Sequence, residues 1–205
     1  MKISWTGVAL AAALLSGCAS VTTGVSASAG PAGFAASGTR TYGFARTDAQ
    51  AGNADYRQVE ALVRDALKQR GLDERPAGKA RYRLAIAYAT QPATVALATD
   101  QCGGERAPCV MVDGPAPFAL PFAGTVYRHV LTLRFVDQKT GADAYRVSAA
   151  VKDRHADALH AAPTLVRSAL AQVPFSGANG WFVKTKKDDA GGMPGVVSVV
   201  PADAR

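Results

Sequence analysis

The sequence predicts an α+β domain, a two-layer sandwich in which a mostly antiparallel sheet of about four strands carries two helices on one face. Three observations lead there. Two stretches, Arg81 to Ala89 and Tyr127 to Val136, alternate apolar and polar side chains with a period of two. A third, Asp55 to Arg70, repeats its apolar residues at helical spacing. Of the 205 residues, 48% are hydrophobic and 19% charged, which excludes a wholly disordered chain and a polytopic membrane protein.

The elements follow in order. Gly38 to Arg46, with Thr41, Tyr42 and Phe44, predicts a first strand. The helix over Asp55 to Arg70 places Tyr56, Val59, Val63, Ala66 and Leu67 on one stripe; Asp55 and Gln58 resemble a capping box, and Gly71 stands just past its end. In the next strand Tyr82, Leu84, Ile86 and Tyr88 form the inner set, against Arg81, Arg83, Ala85 and Ala87. Leu131, Leu133 and Phe135 are the inner set of the strand after that, and the turn Asp137 to Gly141 leads into Tyr145 to Val151 as a hairpin. Leu165, Val166, Ala169, Leu170 and Val173 then recur at helical spacing, with Pro163 either starting the second helix or kinking a longer one. If the helices cover one sheet face, Arg81, Arg83, Arg134 and Arg146 share the other; they form a candidate basic interaction surface, or simply solubilising charge.

The two ends read differently. Lys2, the apolar run Ile3 to Leu15 and the tetrad Leu15-Ser16-Gly17-Cys18 have the order of a bacterial lipoprotein signal, with residues 1–17 removed and Cys18 acylated. Ala19, rather than Asp, after the cysteine points to the periplasmic side of the outer membrane. Residues 18–38 are nearly all small and show no period, which predicts a flexible tether of about 25 Å. Residues 39–183 are then the periplasmic domain. Residues 184–205 carry Lys, Asp, Gly and Pro around Val196 to Val200; a mostly disordered tail is expected, with an edge strand over the valines as the other option.

Residues 91–124 interrupt the strands with five prolines and four glycines, a length that ordinary connections do not reach. Cys102 and Cys109 lie in this insertion, and with Cys18 committed to lipid they are the remaining thiols in an oxidising compartment, so a disulfide between them is expected. Val110, Met111, Phe118 and Phe122 either fold back on the sheet or stay exposed for a lipid or a partner.

Catalytic and cofactor signatures are missing. His155 and His160 are five residues apart, there is no His-Glu-x-x-His, and neither a nucleophile elbow nor a phosphate-binding glycine loop occurs, so no metal or cofactor is expected. The excess of 23 Lys and Arg over 16 Asp and Glu suits anionic lipid, cell-wall polymer or an acidic partner; nucleic acid is absent from that compartment. The expected function is a non-enzymatic, lipid-anchored envelope protein that binds or scaffolds another envelope component. The alternatives are a lipid or small-molecule binder and, after it, an envelope hydrolase using Asp100, Glu105 and Asp113.

Between Arg40 and Val173 the chain resembles a family of small bacterial outer-membrane lipoproteins that carry a domain of unknown function. The resemblance rests on Thr41-Tyr42-Gly43-Phe44, on Leu67-Lys68-Gln69-Arg70-Gly71-Leu72 and on the hairpin from Leu131 to Gly141 with its Asp137 and Thr140-Gly141 turn. Departures are Ala80-Arg81 where the family often has Ala-Asp, Tyr145-Arg146-Val147 where it has Trp-Arg-Gly, and the cysteine insertion. The resemblance implies an outer-membrane-anchored α+β domain with no established catalytic residues. At the level of topology alone there is also a likeness to accessory lipoproteins of envelope lipid transport.

Overall fold

The structure, a computed structural model, describes residues 20–34, 40–93, 95–96, 113–114, 124–177, 180–188 and 192–204. In chain order the elements are β1 (Ser20–Ala29), β2 (Thr41–Ala45), α1 (Asp48–Gly52), α2 (Ala54–Gln69), β3 (Asp73–Glu74), a 3-10 turn (Ala77–Lys79) and β4 (Tyr82–Pro92). They continue with β5 (Val95–Ala96), β6 (Asp113–Gly114), β7 (Tyr127–Asp137), β8 (Asp143–Asp153), α3 (Ala162–Ala169), β9 (Gly180–Lys186), β10 (Gly195–Pro201) and a closing 3-10 turn (Ala202–Ala204). One mixed sheet has the order β10-β9-β1-β8-β7-β4-β2-β3, and β5 pairs separately with β6.

This corrects the expected fold. The sheet has eight strands rather than about four, and the described residues hold three α-helices rather than two. The segment expected as a tether supplies β1, which lies in the interior of the sheet, paired antiparallel with β8 on one side and β9 on the other. Its Thr23 and Val25 are buried while Thr22, Ser26 and Ser28 are exposed, a period of two written in small side chains. Ladders on both sides satisfy its backbone, so the strand needs little side-chain burial of its own to be stable. The segment expected as a tail contributes the end of β9 and all of β10, which covers the outer edge of β9.

The elements read from periodicity are present where expected. In α2 the stripe Tyr56, Val59, Val63, Ala66 and Leu67 is buried. Its cap, however, is Asn53, whose side chain accepts the Tyr56 N–H at 2.9 Å, and the reciprocal capping box forms one helix earlier, between Thr47 and Gln50 of α1. Gly71 follows α2 at φ +71°, the left-handed conformation that ends helices at low cost for glycine. Pro163 lies in the first turn of α3, where its missing N–H costs nothing.

Strands β2 and β4 are parallel neighbours joined through the helices, whereas β4-β7-β8-β1-β9-β10 are antiparallel throughout. The inner faces of Leu84, Ile86, Leu131, Leu133, Phe135, Tyr145 and Val147 form one core with Val63 and Leu67 of α2 and Leu165, Val166 and Leu170 at α3. Phe34, beyond β1, packs its ring 5.0 to 5.2 Å from those of Tyr82, Phe135 and Tyr145.

Candidate functional site

Both long helices bury their apolar stripes in the core, and among the described residues the opposite side of the sheet is left exposed or half-exposed. Ala85, Arg134, Arg146 and Ser28 stand directly opposite one another across β4, β7, β8 and β1. The next rows are Ala87, Thr132, Ser148 and Ser26, then Ala89, Val130, Ala150, Gly24 and Phe182. All are exposed or half-exposed. The middle rows are built mostly of small side chains, and among them Thr132 Oγ1 and Ser148 Oγ are hydrogen-bonded across β7 and β8 at 2.8 Å.

The structure brings two of the expected arginines together and leaves the other two apart. Arg134 and Arg146 are cross-strand neighbours, a placement that two cations would resist. Asp143 relieves it: one carboxylate oxygen accepts from Arg134 Nε at 2.7 Å and the other from Arg146 Nη2 at 3.2 Å. Both guanidinium side chains stay half-exposed, so the triad contributes a fixed positive site more than stability. Arg83 is exposed on β4, opposite Val136. Arg81 precedes the strand, and its guanidinium lies 5.0 Å from the Tyr82 ring centre, so it does not join the pair. Cys18, Cys102, Cys109, Val110, Met111, Phe118 and Phe122 lie outside the described residues.

A second concavity, with no counterpart in the sequence reading, opens beside β4. Strand β2 pairs only with Tyr82 to Ala85, so among the described strands Ile86 to Pro92 is paired on the β7 side alone. In place of another strand there is a cleft of about 640 Å³ lined by Gln50, Asn53, Tyr56, Tyr88, Thr90 and Tyr127. Gln50 Nε2 donates to the Ile86 carbonyl at 3.1 Å, and the Tyr88 hydroxyl donates to the Ala158 carbonyl. The buried Tyr56 hydroxyl has no hydrogen-bond partner among the described residues, and burial, reinforced by Glu60, raises its pKa, so it remains a neutral donor.

Behind Thr90 the three histidines of the chain converge. His129 is wholly enclosed, with Nδ1 2.8 Å from Thr90 Oγ1 and Nε2 3.1 Å from Asp153 Oδ1. Asp153 also accepts the His155 N–H at 2.7 Å and lies 3.8 Å from His160 Nε2, while the His155 and His160 rings stack at 3.8 Å. Partial burial would raise the Asp153 pKa; the hydrogen bonds from His155 and His129 and the histidine charges outweigh it and hold the carboxyl below its usual range. The order hydroxyl, imidazole, carboxylate has the chemistry of a proton relay. Yet Thr90 faces the first cleft and Asp153 a separate one beside Ser20 and Thr22, so enclosed His129 ties three strands together. Among the described residues no group of three or more His, Cys, Asp or Glu side chains is placed to hold a metal ion. The alternation argument sees only one strand at a time, so a diagonal contact from β7 to β8 left no signal in it; the one available hint was a histidine at an inner position of β7.

An open-faced mixed sheet with helices on one side defines the class. The profile of the family described as Domain of unknown function (DUF4136) matches residues 28–175, and the chain belongs to that family. None of the curated proteins matches the sequence. Among solved structures, a PDZ domain protein from Parabacteroides distasonis is similar at 15% identity and a TM-score of 0.48, covering 88% of this chain and 43% of that one. The present chain thus spans less than half of that protein. The PelC dodecamer subunit from Paraburkholderia phytofirmans is similar at 16% identity and a TM-score of 0.42, over 72% of this chain and 95% of that one.

Proposed function

We propose that this protein is a non-enzymatic component of the bacterial envelope, acylated at Cys18 on the periplasmic side of the outer membrane, that binds another envelope component through the open face of its sheet. The observation that supports this reading is the face itself. Five adjacent strands expose or half-expose mostly small side chains from Gly24 to Ala89, with Phe182 on the outermost of the five, beside a fixed basic pair, Arg134 and Arg146. A face that runs over five strands offers a partner broad contact, and the arginine pair gives that contact a register. The insertion, with a Cys102–Cys109 disulfide and Val110, Met111, Phe118 and Phe122, belongs to the proposal as a second contact area.

The test is chemical crosslinking in intact cells, with the attached proteins identified by mass spectrometry. Wild type is compared with Arg134→Glu/Arg146→Glu and with a deletion of Thr99 to Pro121. Loss of one dominant adduct in the charge-reversed protein supports the sheet face; loss only in the deletion moves the contact to the insertion. Cys18→Ala should abolish acyl labelling and leave precursor, and persistent labelling would remove the anchor.

A second reading, ligand binding in the cleft, is favoured by its volume of about 640 Å³ and its lining of Gln50, Asn53, Tyr56, Tyr88 and Thr90, which mixes aromatic with polar groups. Native mass spectrometry of the purified protein decides it: a bound small molecule or lipid that is lost in Tyr56→Phe supports the cleft, and a clean apo mass counts against it.

A further inference from the structure

The start of β1 at Ser20 leaves two residues, Cys18 and Ala19, between the acyl group and the sheet. Two residues span at most about 7 Å whatever their conformation, which is within one Debye length, about 8 Å, at physiological salt. An anchor at Cys18 would therefore hold the β1 start where headgroup charge is only partly screened, whereas a twenty-residue tether would have held it clear.

The same end of the sheet gathers unusual positive charge. Ser20 is opposite Lys186, Thr22 is opposite Lys184, and Lys187 follows β9. On the other side of β1, near the end of strand β8, Lys152 stands opposite Arg128 of β7, and Arg154 follows Asp153, the last residue of the strand. All six side chains are exposed. Among the described residues the carboxylates at this end are Asp153, Asp157 and Asp188, so six cations stand against three carboxylates. Asp153 is bonded to His129 and Asp157 to the Leu159 N–H, neither bond pairing a carboxylate with a rim cation, whereas Glu60, Glu74 and Asp143, which hold the arginine ion pairs, lie elsewhere.

We propose that Arg128, Lys152, Arg154, Lys184, Lys186 and Lys187 form a membrane-docking rim that seats on the anionic headgroups of the bilayer holding the anchor, with the strands rising from it. This rests on the reading that Cys18 is acylated. A single lipid chain linkage leaves rotation free, whereas cations spread over β7, β8 and β9 give the domain one orientation and turn the open sheet face sideways, toward neighbouring envelope components.

Full-length protein extracted from bacterial membranes is reconstituted into phosphatidylcholine vesicles, with or without one part in about three of phosphatidylglycerol, and its lysines are labelled by a membrane-impermeant acylating reagent. Lys68, Lys79 and Lys139, away from the rim, are internal controls. In the anionic vesicles Lys152, Lys184, Lys186 and Lys187 should label about fivefold less than in neutral ones, with the difference erased near 0.5 M salt and the controls unchanged. Equal labelling of rim lysines in both vesicles overturns the proposal. The N-terminal peptide from the same sample reports acylation separately: an acylated Cys18 without rim protection rejects the rim and keeps the anchor, and rim protection with unacylated Cys18 keeps the rim and rejects the anchor.

Discussion

Glu60 shows how single side chains hold this fold. It is 4% exposed on α2, between Arg46, which donates through Nε and Nη2, and Arg64, whose Nη2 donates at 2.7 Å. Burial alone would raise its pKa, but the hydrogen bonds and charges of the two arginines outweigh that and hold it below the usual 4.5. The folded state therefore binds this proton less tightly than the unfolded chain, so the stabilisation is fully present above about pH 4.5 and is lost as the pH falls through the lower folded value. Glu60→Gln should cost about 2 kcal/mol at pH 7, and urea titrations at pH 7 and pH 3 should show the gap to wild type closing at the lower pH. Gly30 answers to geometry instead. A Cβ there would lie 1.9 Å from the Asp143 carbonyl oxygen, a backbone atom that must move. Gly30→Ala should lower stability by about 2 to 3 kcal/mol in thermal melts and, because Asp143 orders Arg134 and Arg146, weaken any contact made through that pair. His129→Leu leaves Thr90 and Asp153 without their shared partner, and a loss of about 1 to 3 kcal/mol is expected in the same assay.

Elements divide by how much apolar contrast they carry. The alternation of Tyr82 to Ile86 and of Leu131 to Phe135, and the stripe on α2, were legible because large apolar residues alternate with charged ones, and all of these inner residues are buried. Strand β1 was illegible because its contrast is between Thr, Val and Ala on one side and Ser, Thr and Gly on the other, a difference too small to separate a strand from a linker. What makes it a strand is non-local: β8 and β9 offer it two ladders, and neither adjoins it in sequence. Strand β10 was legible as the second option, an edge strand over Val196 to Val200, and that option is the one realised at the edge of the sheet. Ser26→Pro separates the two descriptions of β1. In a tether the change would be silent; in an interior strand it removes a ladder N–H and should cost about 3 kcal/mol or more, seen as a large drop in melting temperature. The arginine pair was half legible: both residues stood at outward positions, but Asp143 between them emerges only from the register.

For the molecule as a whole, the expected sandwich had the right faces and too little sheet. Adding β1, β9 and β10 widens the sheet, α3 packs against all three, and the exposed face opposite runs over five strands from β4 to β9. The same strands bring the start of the described chain into the sheet, which is why an anchor at Cys18 would set orientation as well as location. The central claim is that the open face is where this protein meets its partner. Site-specific photo-crosslinking in living cells tests it most directly, with the reactive side chain placed at Ala87 or Thr132 on the face and at Asp65 on the exposed side of α2. The account predicts a discrete crosslinked species from Ala87 and Thr132 and none from Asp65; adducts from Asp65 with a silent sheet face would contradict it.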